Sequence, residues 1–234
     1  MNNRKKEVSI IYKRPVFDEL SLEFYINNDV FTISGPVSPE KLKKLKPADG
    51  LNALRPAEKQ HEALMELALS DDGMVFVCVD ITASAGIKEN DRCIGTIVSY
   101  VAFQKSDFPW WQNNSFPELI ELGAMETDPR WRRIGLTSAL LGALFNNPDF
   151  SFFEKMVVFT LQTSFNWDIR GTGLSPWEYR RMMIRYFRKF GFLLYNSNDP
   201  EVNEDPCGFI LARIGKEAPE GASEKFTCCC LGEV

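Results

Sequence analysis

The apolar positions of this chain change period several times, and each change marks an element. Near the start, "EVSIIY" (7–12) and "FYINNDVFTISG" (24–35) carry β-branched and aromatic residues beside turn formers, the signature of strands. "PEKLKKLK" (39–46) is a short amphipathic piece. "RPAEKQHEALMELALS" (55–70) switches to a helical period, with Pro56 suited to a first turn and Ala57, His61, Leu64, Met65 and Ala68 along one face. "MVFVCVD" (74–80) and "RCIGTIVSYVAF" (92–103) read as two strands of a hairpin with a longer polar connection. After the aromatic loop "FPWWQNNSFP", a strand "ELIELGAME" (118–126) stops before Pro129. A helix then starts near Leu136, its stripe made of Leu136, Ala139, Leu140, Ala143 and Leu144. "KMVVFTLQT" (155–163) is a continuous apolar strand of the kind buried on both faces.

The best-marked helix is "SPWEYRRMMIRYFRKFGF" (175–192). Ser175 and Glu178 form a capping box, Pro176 takes the first helical position, Gly191 closes the end, and Met183, Ile184, Phe187 and Phe190 form its apolar stripe. "FLLYNS" and "CGFILARIG" complete the strands. The pattern predicts an α/β (α+β) chain, strand-rich with mixed connections, with one domain over residues 1–215 and a flexible tail over 216–234.

With 44% hydrophobic and 25% charged residues, the composition is that of an ordinary globular protein rather than a disordered one. The formal net charge of −5 supplies no global basic field, so nucleic acid is not an expected partner. No run of 18 apolar residues suggests a membrane span, and Lys13 and Arg14 interrupt the first apolar stretch too early for a secretory signal. A cytoplasmic location is expected. Cys78, Cys93 and Cys207 sit in apolar stretches as small buried thiols do, and no cysteine pair has metal-site spacing, so no metal is expected. The run Cys228, Cys229, Cys230 reads as part of a reduced flexible tail, with metal binding or a redox role as alternatives. Nothing in the pattern sets the oligomeric state.

The densest local charge is "DPRWRRIGLTSALL" (128–141), with Arg130, Arg132 and Arg133 around Trp131. A strand that ends at a proline and turns into a helix near Gly135 points the loop's N–H groups and the helix's first orphan donors outward together, an anion-binding nest. Arg132 and Arg133 add charge and bidentate donors suited to a diphosphate. The alternative is a helix start that happens to be basic, an unfavourable placement against the helix dipole unless an anion offsets it. Neither a Walker loop nor a dinucleotide glycine triplet is present.

"RRIGLT" (132–137) resembles the Arg/Gln-x-x-Gly-x-Gly/Ala signature of the GNAT acetyltransferases, with Thr137 where that family usually has Gly or Ala. "FRKFGF" is similar to its Tyr-x-x-x-Gly-Phe ending. Five further stretches, "GPVSPEKL", "GLNALRPAEKQHEAL", "LIELGAMETDP", "WEYRRMM" and "ARIGK", together resemble the bacterial acetoin-utilisation acetyltransferases over nearly the whole chain. The resemblance implies a single GNAT-like domain: a mixed, mostly antiparallel sheet with a splayed central strand and helices on both faces. It implies acetyl-CoA as co-substrate, its pyrophosphate held by Arg132, Arg133, Ile134, Gly135, Leu136 and Thr137, and its thioester carbonyl by backbone N–H near Met125. The acceptor it implies is a lysine of AMP-forming acetyl-CoA synthetase, which acetylation switches off. The acceptor lysine itself and the acyl-chain preference are left open.

Acetyl transfer to an amine needs a base for the ammonium proton. Glu121 lies in the otherwise apolar "LIELGAM", eleven positions before Arg132, where the resemblance puts the base glutamate of histone-type GNAT enzymes. Alternation places Glu121, Gly123 and Met125 on one face and Glu126, the competing base, on the other, unless a bulge breaks the parity. A structural carboxylate is the alternative role for Glu121. The family's acid tyrosine is Phe187 here, and neither Tyr186 nor Tyr179 replaces it by position. His61, the only histidine, reads as a core residue, with a substrate contact as the alternative. Arg180, Arg181, Arg185 and Arg188 read as a solvated helix face, a docking surface for an acidic partner, or a contact for the 3′-phosphate of CoA. Trp110 and Trp111 form either a hydrophobic plug or a partner-binding lip. The expected function is a protein lysine acetyltransferase, with a small-molecule amine acetyltransferase or a non-catalytic acyl-CoA-binding regulator as alternatives.

Overall fold

In a computed structural model of the chain, residues 9–12, 20–26, 29–52, 55–82, 94–106, 109–112, 116 and 118–233 are described. Along the chain run β1 (Ser9–Tyr12), β2 (Leu20–Ile26), β3 (Asp29–Gly35), α1 (Pro39–Leu42), β4 (Leu45–Pro47), α2 (Ala57–Leu69), β5 (Met74–Asp80) and β6 (Gly95–Gln104). There follow α3 (Pro109–Gln112), β7 (Leu119–Thr127), α4 (Leu136–Phe145), β8 (Val157–Gln162), α5 (Pro176–Arg188), β9 (Leu193–Tyr195), α6 (Pro200–Glu204), β10 (Phe209–Ile214) and α7 (Ala222–Leu231). The fold class is the expected mixed α/β one, with mostly antiparallel strand pairing. The chain divides into two compact units, residues up to Phe103 with Ala124–Phe150, and Gln104–Gly123 with Ser151–Val234. β7 starts in the second and ends in the first.

In the first unit β1, β2, β3, β5 and β6 form consecutive antiparallel pairs, and β4 runs parallel to β6. The stretch expected as one strand, "FYINNDVFTISG", is shared between β2 and β3, which pair Phe24 with Phe31 and stack their rings 5.5 Å apart. The two-fold period of β5 sends Val75, Val77 and Val79 into a core with Leu42, Leu64, Ile97 and Tyr100 beneath α1 and α2. Phe76 and Phe103 instead meet Phe150 and Phe145 edge-on, at 5.9 and 6.3 Å. Cys78 is buried as expected, while Cys93 and most of the polar connection before it lie outside the described residues.

In the second unit the first half of β7 is parallel to β8, pairing Leu119 with Val157 and Glu121 with Phe159, and β8, β10 and β9 continue antiparallel. The capping box of α5 forms as expected, and Met183, Ile184, Phe187 and Phe190 are all buried. The stretch expected as a flexible tail forms α7 instead. Its Phe226, Cys229 and Cys230 are buried with Trp111, Phe159 and Ile210, because Ala222, Phe226, Cys229 and Cys230 return at helical spacing and meet an apolar surface. The thiols are therefore core side chains, and burial pushes Cys230 up to about 12. Trp111 is a plug in the same cluster, donating its indole N–H to Asp199 at 2.9 Å, while Trp110 donates to the Cys229 carbonyl at 3.1 Å.

Candidate functional site

The arginine loop belongs to the first unit. Pro129 ends β7 and opens a short 3-10 turn, Pro129–Trp131, capped by the Asp128 side chain. Asp128 is buried and accepts from the Arg130 backbone N–H at 2.9 Å and from its guanidinium at 2.7 Å. Burial pushes this carboxyl up, but the bonds from Arg130 outweigh it and hold the group below the usual carboxylate range. Trp131 meets Phe31 of β3 edge-on at 5.2 Å, which anchors the loop to the sheet. Of the three clustered arginines, Arg130 is thus committed to Asp128, and Arg132 donates its Nε–H to the Thr127 carbonyl at 3.1 Å.

The next residues bring left-handed backbone into the turn. Arg133 has φ 66° and Gly135 has φ 97°, both left-handed, and Gly135 leads into α4 without any side-chain cap. Alternation of left-handed residues turns successive N–H groups toward one side, and the first turn of α4 adds donors with no intrahelical acceptor. A Cβ at Gly135 would meet nothing within 4 Å, so the glycine is required by its dihedral angle and leaves the backbone open to a ligand. Arg132, Arg133, Ile134, Gly135, Leu136 and Thr137 therefore come together as a basic, donor-rich turn that fits a diphosphate.

Thr137 is tied by its hydroxyl to Thr127, 2.6 Å away, and Thr127 to Ser99, 2.8 Å away. Ser99 donates to the Glu126 carbonyl at 2.8 Å, and Asp128 N–H donates to the Val98 carbonyl at 2.9 Å. Since Ser99 and Thr127 share a face of neighbouring strands, Tyr100 and Glu126 share the opposite one, the side covered by α2. There Gln60 donates to the Tyr100 hydroxyl at 2.8 Å, and both side chains are buried. Burial, reinforced by the Glu126 carboxylate, keeps the Tyr100 phenol protonated well above its usual range, against hydrogen bonds from Asn52 and Gln60. Sequence reasoning did not find Ser99, Tyr100, Gln60 or Thr127. A tyrosine and a glutamine at apolar-face positions were the available signals.

Glu121 lies in the second unit, on the strand face it shares with Phe159, and is 5% exposed. Glu126 is half-buried at the other end of β7, in the first unit. Next to Glu121 in the chain, the Leu122 carbonyl accepts from the Thr160 hydroxyl at 2.9 Å. Phe187, at the family's tyrosine position, is fully buried and offers no proton. His61 bonds the Leu42 carbonyl through Nε2 at 2.9 Å and joins α2 to α1. Among the described residues no cluster of histidine, cysteine or carboxylate side chains could hold a metal ion, and no helix is long and apolar enough to cross a membrane.

No family model matches the sequence. The chain is 35% identical over 195 residues to the acetoin utilization protein AcuA of Bacillus licheniformis, a match covering 83% of this chain and 85% of that protein. AcuA of Bacillus subtilis is 31% identical over 195 residues with the same coverage. The crystal structure of an acetoin utilization protein from Exiguobacterium sibiricum matches with a TM-score of 0.76 at 28% identity, covering 91% of this chain and 94% of that one. With relatives this similar over this much of its length, the chain belongs to the acetoin utilization protein AcuA family.

Proposed function

We propose that this chain is a cytoplasmic GNAT-type N-acetyltransferase that transfers the acetyl group of acetyl-CoA to a lysine of AMP-forming acetyl-CoA synthetase and so inactivates it. The observation that carries the reading is the turn at 132–137, where two left-handed residues and an uncapped helix start expose N–H donors beside two arginines. Arg132, Arg133 and the N–H groups of Ile134, Gly135, Leu136 and Thr137 bind the pyrophosphate of acetyl-CoA, and the Met125 N–H donates to the thioester carbonyl. Charge developing on that oxygen in the transition state meets a donor already in place.

In the transfer, the lysine nitrogen attacks the carbonyl carbon, a C–N bond forms and the C–S bond breaks. The proton lost by the amine goes to Glu121, a buried carboxylate on β7. Glu126, opposite Tyr100, is the competing base. With Phe187 in place of tyrosine, the sulfur leaves as thiolate, which its modest basicity permits.

Intact-protein mass spectrometry of acetyl-CoA synthetase, incubated with acetyl-CoA and the enzyme or its Glu121→Gln, Glu126→Gln and Arg132→Ala variants, tests this. One added acetyl group, mapping to one lysine and lost with Glu121→Gln, supports the assignment. Loss with Glu126→Gln alone moves the base to Glu126. No acetylation, with acetyl-CoA still bound in calorimetry, sinks the synthetase as acceptor. The acceptor is then a small amine, or the protein is a sensor of acyl-CoA.

A further inference from the structure

Arg180, in the second turn of α5, has a buried Nε that meets no hydrogen-bond partner among the described residues. Its guanidinium lies 5.2 Å from the ring centre of Phe209 and 6.0 Å from that of Trp177. Aromatic faces stabilise the cation but satisfy none of its N–H groups in the manner of an anion. A donor taken out of water without an acceptor is costly, more so on a charged group. The chain treats its buried arginine differently: Arg213 is paired with Glu154 and the Phe153 carbonyl.

Three carboxylates of the same unit, Glu178, Asp205 and Asp168, are already engaged. Glu178 accepts from the Ser175 N–H at 2.9 Å and the Ser175 hydroxyl at 2.7 Å. Asp205 accepts from the Cys207 N–H at 2.8 Å and from the Ser164 N–H. Asp168 pairs with Arg170 at 2.8 Å. With these engaged, Arg180 is open to an anion supplied by another molecule. Trp177, 51% exposed, offers apolar contact to whatever brings it. An arginine fork beside a half-exposed tryptophan suits a planar carboxylate on an apolar stem, and these two residue types dominate protein-binding hot spots.

We propose that Arg180, framed by Trp177 and Phe209, is a docking point that receives a carboxylate side chain of the polypeptide acceptor. This rests on the reading of the acceptor as a protein. It assigns a role to one arginine of the α5 run and leaves Arg181, Arg185 and Arg188 as its exposed face.

The test uses the full chain and immobilised lysine-containing peptides in pairs, identical except for Glu or Gln near the lysine. The wild type is expected to retain some Glu peptides about tenfold more tightly than their Gln partners, the effect of one charge-assisted pair. Arg180→Gln is expected to abolish the difference, Arg180→Lys to keep part of it, and Arg181→Gln to leave it unchanged. Unfolding midpoints of the variants separate loss of the site from loss of the fold. Equal retention of Glu and Gln peptides by the wild type, or a preference that survives Arg180→Gln, overturns the proposal. So does weakened binding of CoA by Arg180→Gln with unchanged binding of 3′-dephospho-CoA, which assigns the arginine to a phosphate. Glu-selective binding without acetyl transfer to any peptide leaves the docking point standing while the acetyltransferase reading fails.

Discussion

The hydroxyls of Thr127 and Thr137 lie 2.6 Å apart, joining the end of β7 to the first turn of α4. Ser99 extends the chain of hydroxyls and closes it on the Glu126 carbonyl. Thr137 stands where the GNAT signature usually has Gly or Ala, and its hydroxyl is taken up by a polar tie to Thr127.

Thr137→Val keeps the shape of this side chain and removes its hydroxyl. It is expected to lower stability by about 1–2 kcal/mol, the cost of leaving a partly buried hydroxyl poorly satisfied. The midpoint in urea measures it. Thr137→Ala, nearer the usual residue, also breaks the tie and should weaken the fold, with little change in KM for acetyl-CoA. A midpoint unchanged in both variants would mean that the tie contributes nothing.

Arg133 and Gly135 share a left-handed backbone, and opposite substitutions separate fold from function. Gly135→Ala should cost about 1–2 kcal/mol through its dihedral angle alone, since the new methyl group meets nothing within 4 Å. Arg133→Gly should preserve or raise the thermal midpoint, because a non-glycine residue with positive φ is strained by about 1 kcal/mol or more. The same change should raise KM for acetyl-CoA about tenfold by removing a cation from the turn. If acetyl-CoA binds Arg133→Gly as tightly as wild type, that side chain takes no part in binding.

Asp128 makes stability depend on pH. Its folded pKa is held below the ordinary value of 3.8, so its contribution is fully present above that value and is lost as the pH falls through it toward the folded pKa. Asp128→Asn should therefore destabilise the protein near neutrality by about 1–2 kcal/mol, as loss of a capping carboxylate does. As the pH falls below the ordinary carboxylate value, the wild-type and variant curves should converge. Chemical denaturation across pH checks this, and parallel curves would rule the ion pair out as the source.

Phe226 holds α7 in the second unit's core, 4.9 Å from Tyr195 and 5.9 Å from Phe159. Phe226→Ala should cost about 3–5 kcal/mol. Truncation after Lys216 should be more damaging still. If either change leaves the melting curve where it was, the C-terminal stretch is a dispensable tail after all.

Much of the fold was readable from local pattern. β5, β8, α4 and α5 follow from apolar period and caps because neighbours in sequence are neighbours in space, and Ser175 with Glu178 closes its box within one turn. Elements that depend on distant partners were harder. The apolar spacing of α7 is short and interrupted by polar residues, and its burial depends on Trp111 and Phe159 more than sixty residues away. The capping signal for α6, Asp199 followed by Pro200, was present but lacked an apolar period to support it.

The amino-acid sequence by itself determined the mixed α/β class, the strand–turn–helix at 126–137 and the motifs by which the family was recognised. These are matters of local dihedral preference, charge and residue order, and the left-handed Gly135 was foreseeable because glycine alone adopts that backbone without strain. Tertiary structure alone decided that Tyr100 and Gln60 meet on the face of Glu126, and that Arg213 is paired with Glu154. Each of these depends on which side chains are brought within about 3 Å of one another, a distance set by strand register and helix packing rather than by separation along the chain.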